Sequence, residues 1–301
     1  MAPIRVANAP CSWGVLEFEA AAASVTGDQV LDEIAATGYA GTELGDWGFL
    51  PTASGELRAA LGRRKLALIG AFVNVRLSRS EAHAAGEAAA VRTARLLRST
   101  ATEAPVIVLA DDPAAVPLRT ERAGRIRAED GLDDAAWAAV AHGVERIAGA
   151  VRAATGLRTV FHHHCATWVE TPAEIKTLLA RTDPDLVGLC LDTGHVVYGG
   201  GDPLTVLDRF ADRVWHVHFK DCEPDVARRA RSEGWRYQEA LRHGLFCELG
   251  RGSVDFPAVC AALAARGYRG WIVVEQDVLP SMGTPAESAR RNREYLRTIG
   301  L

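Results

Sequence analysis

The chain has 301 residues, with 34 Lys and Arg against 38 Asp and Glu for a formal charge of −4, and 48% apolar and 24% charged residues. This composition excludes a disordered or fibrous chain, and the length allows one large α/β domain. Mild negative charge without a long Lys/Arg run argues against nucleic acid and anionic membrane as partners, and no apolar run has the length of a bilayer span or signal peptide, so a cytoplasmic protein is expected.

In chain order, short β-branched runs at 4–8, 40–44, 66–73, 105–110, 158–162, 187–192, 214–219 and 271–275 read as strands. Ala/Leu/Arg-rich stretches with helical spacing follow at 27–37, 54–64, 81–101, 134–154, 172–181, 203–210, 256–266 and 285–299. Thr171-Pro172 with Glu174, and Thr284-Pro285 with Glu287, place an N-cap, a first-turn proline and a third-position glutamate; Asp202-Pro203 starts a helix with aspartate. Strands that are nearly continuously apolar, alternating with helices, predict a single (β/α)8 TIM barrel over 1–301 rather than an open doubly wound sheet. The first strand runs into Ala9-Pro10-Cys11-Ser12-Trp13-Gly14 without a GxGxxG turn, so no organic dinucleotide cofactor is expected. The longest connection, about 222–254, follows the seventh strand with Trp235, Tyr237 and Phe246, and its length suits a lid or a segment with its own short helices. The six scattered cysteines form no CxxC pair and read as free thiols.

Six of the nine histidines, His162, His163, His164, His195, His216 and His218, fall between 162 and 218. They sit at the C-terminal ends of the fifth to seventh strands, the rim where barrel enzymes assemble their sites. Strand alternation puts 162 and 164 on one face with 163 opposite, and 216 with 218 on one face. The fifth to eighth strands each offer one donor at similar depth: His162, Asp192, His218 and Glu275. Taken singly, Asp192 also suits a cap of the following turn and Glu275 an arginine partner. Together, two imidazoles and two carboxylates without a thiolate suit Mn²⁺ or Co²⁺, with Zn²⁺ and Fe²⁺ as further choices.

At these residues the sequence resembles the inosose (2-keto-myo-inositol) dehydratases, within the xylose isomerase-like barrels of sugar isomerases, epimerases and dehydratases. The resemblance lies in Phe-His-His-His at 161–164, the segment 182–189, Asp192-Thr-Gly-His195, the segment 212–221, Gly270 to Glu275, and Gly38 to Glu43. It implies a divalent-metal site on the barrel, with Asp192, His218 and Glu275 matching three ligands and the fourth open between His162 and His164. Cys165-Ala166-Thr167 stands where the resemblance leads us to expect Met-Gly-Thr, and Glu275-Gln276-Asp277 is shorter than the matching dehydratase segment.

The implied reaction is loss of water from a 2-keto polyol through an enediolate. His164, His195, Lys220 and Glu43 are the expected acid/base groups, with Asp221 orienting Lys220 or His216. His216, Asp221, Trp13 and Phe72 are the expected substrate contacts, although core packing also accounts for Phe72 and turn stabilisation for Glu43. The same proton abstraction would serve an isomerase or epimerase. An endonuclease IV-like phosphodiesterase would need histidine ligands on earlier strands, where the third ends Phe72-Val73-Asn74 and the fourth Ala110-Asp111-Asp112. A non-enzymatic sugar or metal binder has no use for so many convergent imidazoles. The expected partner is a small keto-polyol, and the resemblance adds association into a homo-oligomer.

Overall fold

A computed structural model describes residues 4–14, 25–112, 116–278 and 282–301. The barrel strands are β1 (Arg5–Asn8), β2 (Gly41–Glu43), β3 (Ala67–Val75), β4 (Val106–Asp111), β5 (Arg158–His162), β6 (Val187–Asp192), β7 (Val214–Phe219) and β8 (Trp271–Val274). Each pairs in parallel with its sequence neighbours, and β8 closes onto β1, with Arg5 opposite Trp271. The expected TIM barrel is therefore the observed fold.

Helices expected from the sequence form within a residue or two of their anticipated ends, including Gly27–Ala36, Ser54–Arg64, His83–Thr100 and Asp134–Thr155. Their starts are fixed locally. Thr171 and Glu174 form a reciprocal capping box ahead of Pro172–Ala180, and the Asp202 carboxylate accepts the Thr205 N–H. Thr284 precedes Pro285–Thr298 without a side-chain cap bond. The helices cover the outside of the barrel with Leu31, Ile34, Val144, Ile147 and Leu178, all fully buried.

Alternation along the strands builds the interior from below. Val160, Cys190, His216 and Val273 each lie two residues before His162, Asp192, His218 and Glu275, so each shares the face of a rim residue and is buried beneath it. Asp192 and His218 are direct register partners on β6 and β7. Strand β8 stops at Val274, but the Glu275 N–H still bonds the Phe219 carbonyl at 3.0 Å, so its side chain stays at rim height.

The segment after β7 forms an ordered excursion. Asp221–Cys222 pairs antiparallel with Phe246–Cys247, and between them lie helices Pro224–Glu233 and Tyr237–Arg242. These are short helices of the kind its length suggested, whereas the short helices Pro117–Arg122 and Thr193–Tyr198 were not anticipated. All six cysteines are free thiols. No helix among the described residues is long and apolar enough to cross a membrane.

Candidate active site

Four buried side chains meet at the rim: His162, Asp192, His218 and Glu275 offer ligand atoms that all lie within 4.8 Å of one another. His162 Nε2 is 3.6 Å from Asp192 Oδ2, and His218 Nδ1 is 3.3 Å from Glu275 Oε1 and 4.0 Å from Asp192 Oδ2. His162 Nε2, Asp192 Oδ2 and His218 Nδ1 have no hydrogen-bond partner among the described residues. Unpaired polar atoms are costly in a dry interior, and here they converge on one point. The set therefore fits a divalent cation. Cys190 lies within reach of His162 and His218, but burial pushes its thiol up to about 12, so it remains a protonated thiol beneath the four donors.

Asp192, His218 and Glu275 are held by their surroundings, whereas both ring nitrogens of His162 lack a hydrogen-bond partner among the described residues. Asp192 uses Oδ1 to accept the His195 N–H at 2.8 Å, capping the helix Thr193–Tyr198, which leaves Oδ2 for the cluster. The other nitrogen of His218, Nε2, lies 3.1 Å from Glu43 Oε1, and the same oxygen holds His216 Nε2 at 2.8 Å. A register shift between Thr42 and Glu43 turns that carboxylate into the barrel, and Gly70 leaves it room: a Cβ there would lie 3.1 Å from Glu43 Oε1. Burial opposes the Glu43 charge, but His218 and His216 outweigh it and hold the carboxyl at about 2. Lys220 Nζ sits 3.4 Å from Glu275 Oε2, 3.3 Å from Asp277 Oδ1, and 4.8 Å from the centre of the Phe246 ring. Burial opposes its charge too, and Asp277, Glu275 and Asp192 overcome it, so Lys220 stays an ammonium.

His164 and His195 stand side by side, with ring centres 3.9 Å apart. His164 Nδ1 lies 2.6 Å from the Cys165 carbonyl, which only accepts, so Nδ1 carries the proton and Nε2 is bare. The Cys165 N–H donates to His195 Nδ1 at 3.2 Å, so His195 carries its proton on Nε2. Burial, then His162 and Lys220, lower His164 to about 3; burial and its imidazole neighbours carry His195 well below the ordinary value. Both rings are neutral, with opposite proton placement.

The model of the xylose isomerase-like TIM barrel family matches residues 31–299 of the chain. The chain belongs to this family. Within it, the protein is 33% identical over 293 residues to an inosose dehydratase of Lacticaseibacillus casei, covering 97% of this chain and 96% of that one. It is also 33% identical over 295 residues to one of Geobacillus kaustophilus, covering 98% and 94%. The fold recurs in the probable 3-DHS dehydratase AsbF from Bacillus anthracis (TM-score 0.70, 13% identity, 98% and 99% covered). It recurs again in the 3-keto-D-glucoside 4-epimerase YcjR from E. coli (TM-score 0.69, 19% identity, 98% and 100% covered).

In this xylose isomerase-like barrel the structure gathers His162, Asp192, His218 and Glu275, and places His164, His195 and Lys220 around them. His163 points away, its Nε2 accepting the Asp192 N–H at 3.3 Å. Phe72 meets the His162 ring edge-on at 5.9 Å. Other expected residues have different tasks. Glu43 and His216 lie beneath His218 and steady it. Trp13 is buried, its indole N–H bonded to Glu33 Oε2 at 2.5 Å, which docks the first rim turn onto helix Gly27–Ala36. Asp221 orients neither Lys220 nor His216: its carboxylate accepts the backbone N–H groups of Cys222, Gly250, Gly252 and Val254. Asp277 was missed as the partner of Lys220, although its two-residue spacing from Glu275 was a signal. Tyr237 and Phe246, carried in by the excursion, meet the rings of His164 and His195 at 5.7 and 5.1 Å.

Proposed function

We propose that the protein is a cytoplasmic, metal-dependent hydro-lyase that removes water from a 2-keto polyol of the 2-keto-myo-inositol kind. The full-length relatives named inosose dehydratase support this reading, as does the convergent donor set at the rim. His162, Asp192, His218 and Glu275 would hold the cation, and the mixed nitrogen and oxygen donors favour Mn²⁺ or Co²⁺. When bound, it supplies a Lewis acid for the substrate's ketone oxygen.

The observation that carries the proton transfer is the opposite proton placement on two adjacent imidazoles, and the relatives named inosose dehydratase support loss of water as its outcome. His164 Nε2, a bare lone pair, takes the proton α to the ketone; the C–H electron pair moves into the carbon skeleton, and negative charge develops on the carbonyl oxygen. His195 donates its Nε2–H to a substrate oxygen and stabilises that charge as a neutral donor, while the Lys220 ammonium adds positive potential at the same rim. The returning electron pair expels the β-hydroxyl, and His164 hands it the proton so that it leaves as water. One face of the substrate then meets both the base and the donor, which suits elimination from neighbouring carbons. The low basicity of His164 costs driving force but leaves the lone pair free at neutral pH.

Incubation of Mn²⁺-loaded protein with 2-keto-myo-inositol in D₂O, followed by NMR, tests the reading. The expected product is the dehydrated cyclohexane-dione. Deuterium incorporation or a rearranged ketose without loss of water would replace it with isomerisation or epimerisation.

A further inference from the structure

The peptide joining Cys165 to Ala166 is bonded on both sides. Its carbonyl accepts the His164 Nδ1–H at 2.6 Å, and its N–H donates to Glu170 Oε2 at 2.8 Å. Turned over, that peptide would present its N–H to the ring, His164 would move its proton to Nε2, and the bare nitrogen facing the site would be lost. Local preference does not hold the observed orientation. Ala166 sits at φ 69, in the left-handed region, which costs an L-residue about 1–2 kcal/mol. The restraint must come from what grips the peptide from behind.

We infer that Glu170 is a positioning residue that fixes the proton of His164 by holding the Cys165–Ala166 peptide in one orientation. Glu170 is 1% exposed. Its second oxygen accepts the Gly124 N–H at 2.6 Å, tying the loop after β5 to the one after β4. Its own N–H donates to Glu174 Oε2 at 3.0 Å, and Glu174 is held by the fully buried Arg119 through two 2.8 Å contacts. Arg119 also donates to the Thr167 carbonyl at 2.7 Å. A continuous path therefore runs from Arg119 through Glu174 and Glu170 to the peptide that sets His164. The neighbouring peptide, through the Cys165 N–H, sets His195 in the opposite sense. This use of Glu170 in catalysis rests on the role of His164 as proton acceptor, whereas the tautomer itself does not.

The test is ring-¹⁵N NMR of histidine-labelled protein, with and without added Zn²⁺, for the wild type, Glu170→Leu and Glu170→Gln. Protonated and bare ring nitrogens are separated by chemical shift. The wild type is expected to show His164 protonated on Nδ1 and His195 on Nε2. Glu170→Leu, which removes both acceptors, should shift His164 toward Nε2–H and lower kcat on the 2-keto cyclitol about tenfold, with KM and metal content unchanged. Glu170→Gln keeps one carbonyl acceptor and should fall between the two, and it decides the matter if the leucine variant does not fold. An unchanged His164 tautomer in a folded variant overturns the inference. So does loss of metal together with a raised KM, which would mean general collapse of the loop. The spectra need no substrate: the expected tautomers in a protein inert toward keto-polyols would uphold the positioning role and overturn the reaction.

Discussion

Asp192 does two jobs with two oxygens: one caps the helix that carries His195, and the other faces the donor cluster. Replacing Asp192 or His218 with alanine should therefore abolish bound metal and activity together, read by metal analysis alongside turnover; activity lost at full metal content would remove that residue from the donor set. Glu43 acts one step back, through His218. A partner that fixes a ligating imidazole contributes about 10–100-fold in metal affinity, so Glu43→Gln should weaken the metal dissociation constant by that much while the protein stays folded. An unchanged constant would leave Glu43 a purely structural acid. Ala166 offers a converse test: Ala166→Gly relieves the left-handed strain but gains entropy in the unfolded chain, so urea unfolding should show a small stabilisation, at most about 1 kcal/mol. The donors themselves were legible because strand alternation decides which side chains share a face. The partners of Glu43 and Asp221, and Glu170 altogether, were not, because what defines them is a contact distant in sequence or a backbone amide, and neither leaves a mark on residue spacing.

Among elements, the barrel was readable for a simple reason: strands covered on both faces are apolar throughout, and caps such as Thr171 with Glu174 announce where helices begin. The excursion after β7 was visible as a long connection suited to a lid or short helices, but the bounds of its elements were not. Its helix Pro224–Glu233 buries only Ala227 and Ala230, an apolar stripe too thin to stand out from a charged loop. Asp221 closes this element. Its carboxylate gathers four backbone N–H groups from both ends of the excursion, and Gly252 is needed for the approach, since a Cβ there would lie 2.4 Å from Asp221 Oδ1. Removing the carboxylate strands several buried donors, at about 1–3 kcal/mol each. Asp221→Ala should therefore destabilise the excursion by several kcal/mol while the barrel persists, and hydrogen exchange should accelerate across 222–254 but not in β4 or β5. Because Phe246 and Tyr237 arrive at the site on this element, KM should rise as well. Uniform exchange throughout the chain would show that the excursion is not a separate unit of stability.

For the whole molecule, the concentration of imidazoles in one dry rim sets the response to acid. Burial lowers His163, His164, His195 and His216, so each is neutral in the folded protein but takes a proton when unfolded below about 6.5. Their contribution is complete above that pH and is lost as pH falls. Four buried carboxyls work the other way, Asp111, Glu170, Asp221 and Asp277. Burial raises Asp111 to about 6 and Glu170 to about 7, so the folded state holds their protons after the unfolded chain has released them, and their contribution declines as pH rises from about 4 to about 7. Between about 4.5 and 6.5, four imidazoles oppose these carboxyls, and the imidazoles, each taking up a whole proton on unfolding, are expected to prevail. The metal-stripped protein should be most stable near pH 6.5 and weaken steadily on acidification, as read by urea unfolding at a series of pH values. Glu170→Gln removes one of the opposing groups, so its stability should fall more steeply with acid than that of the wild type over the same interval. An identical slope in both proteins would mean that Glu170 is already ionised there, and a shallower one would reverse the balance argued from burial.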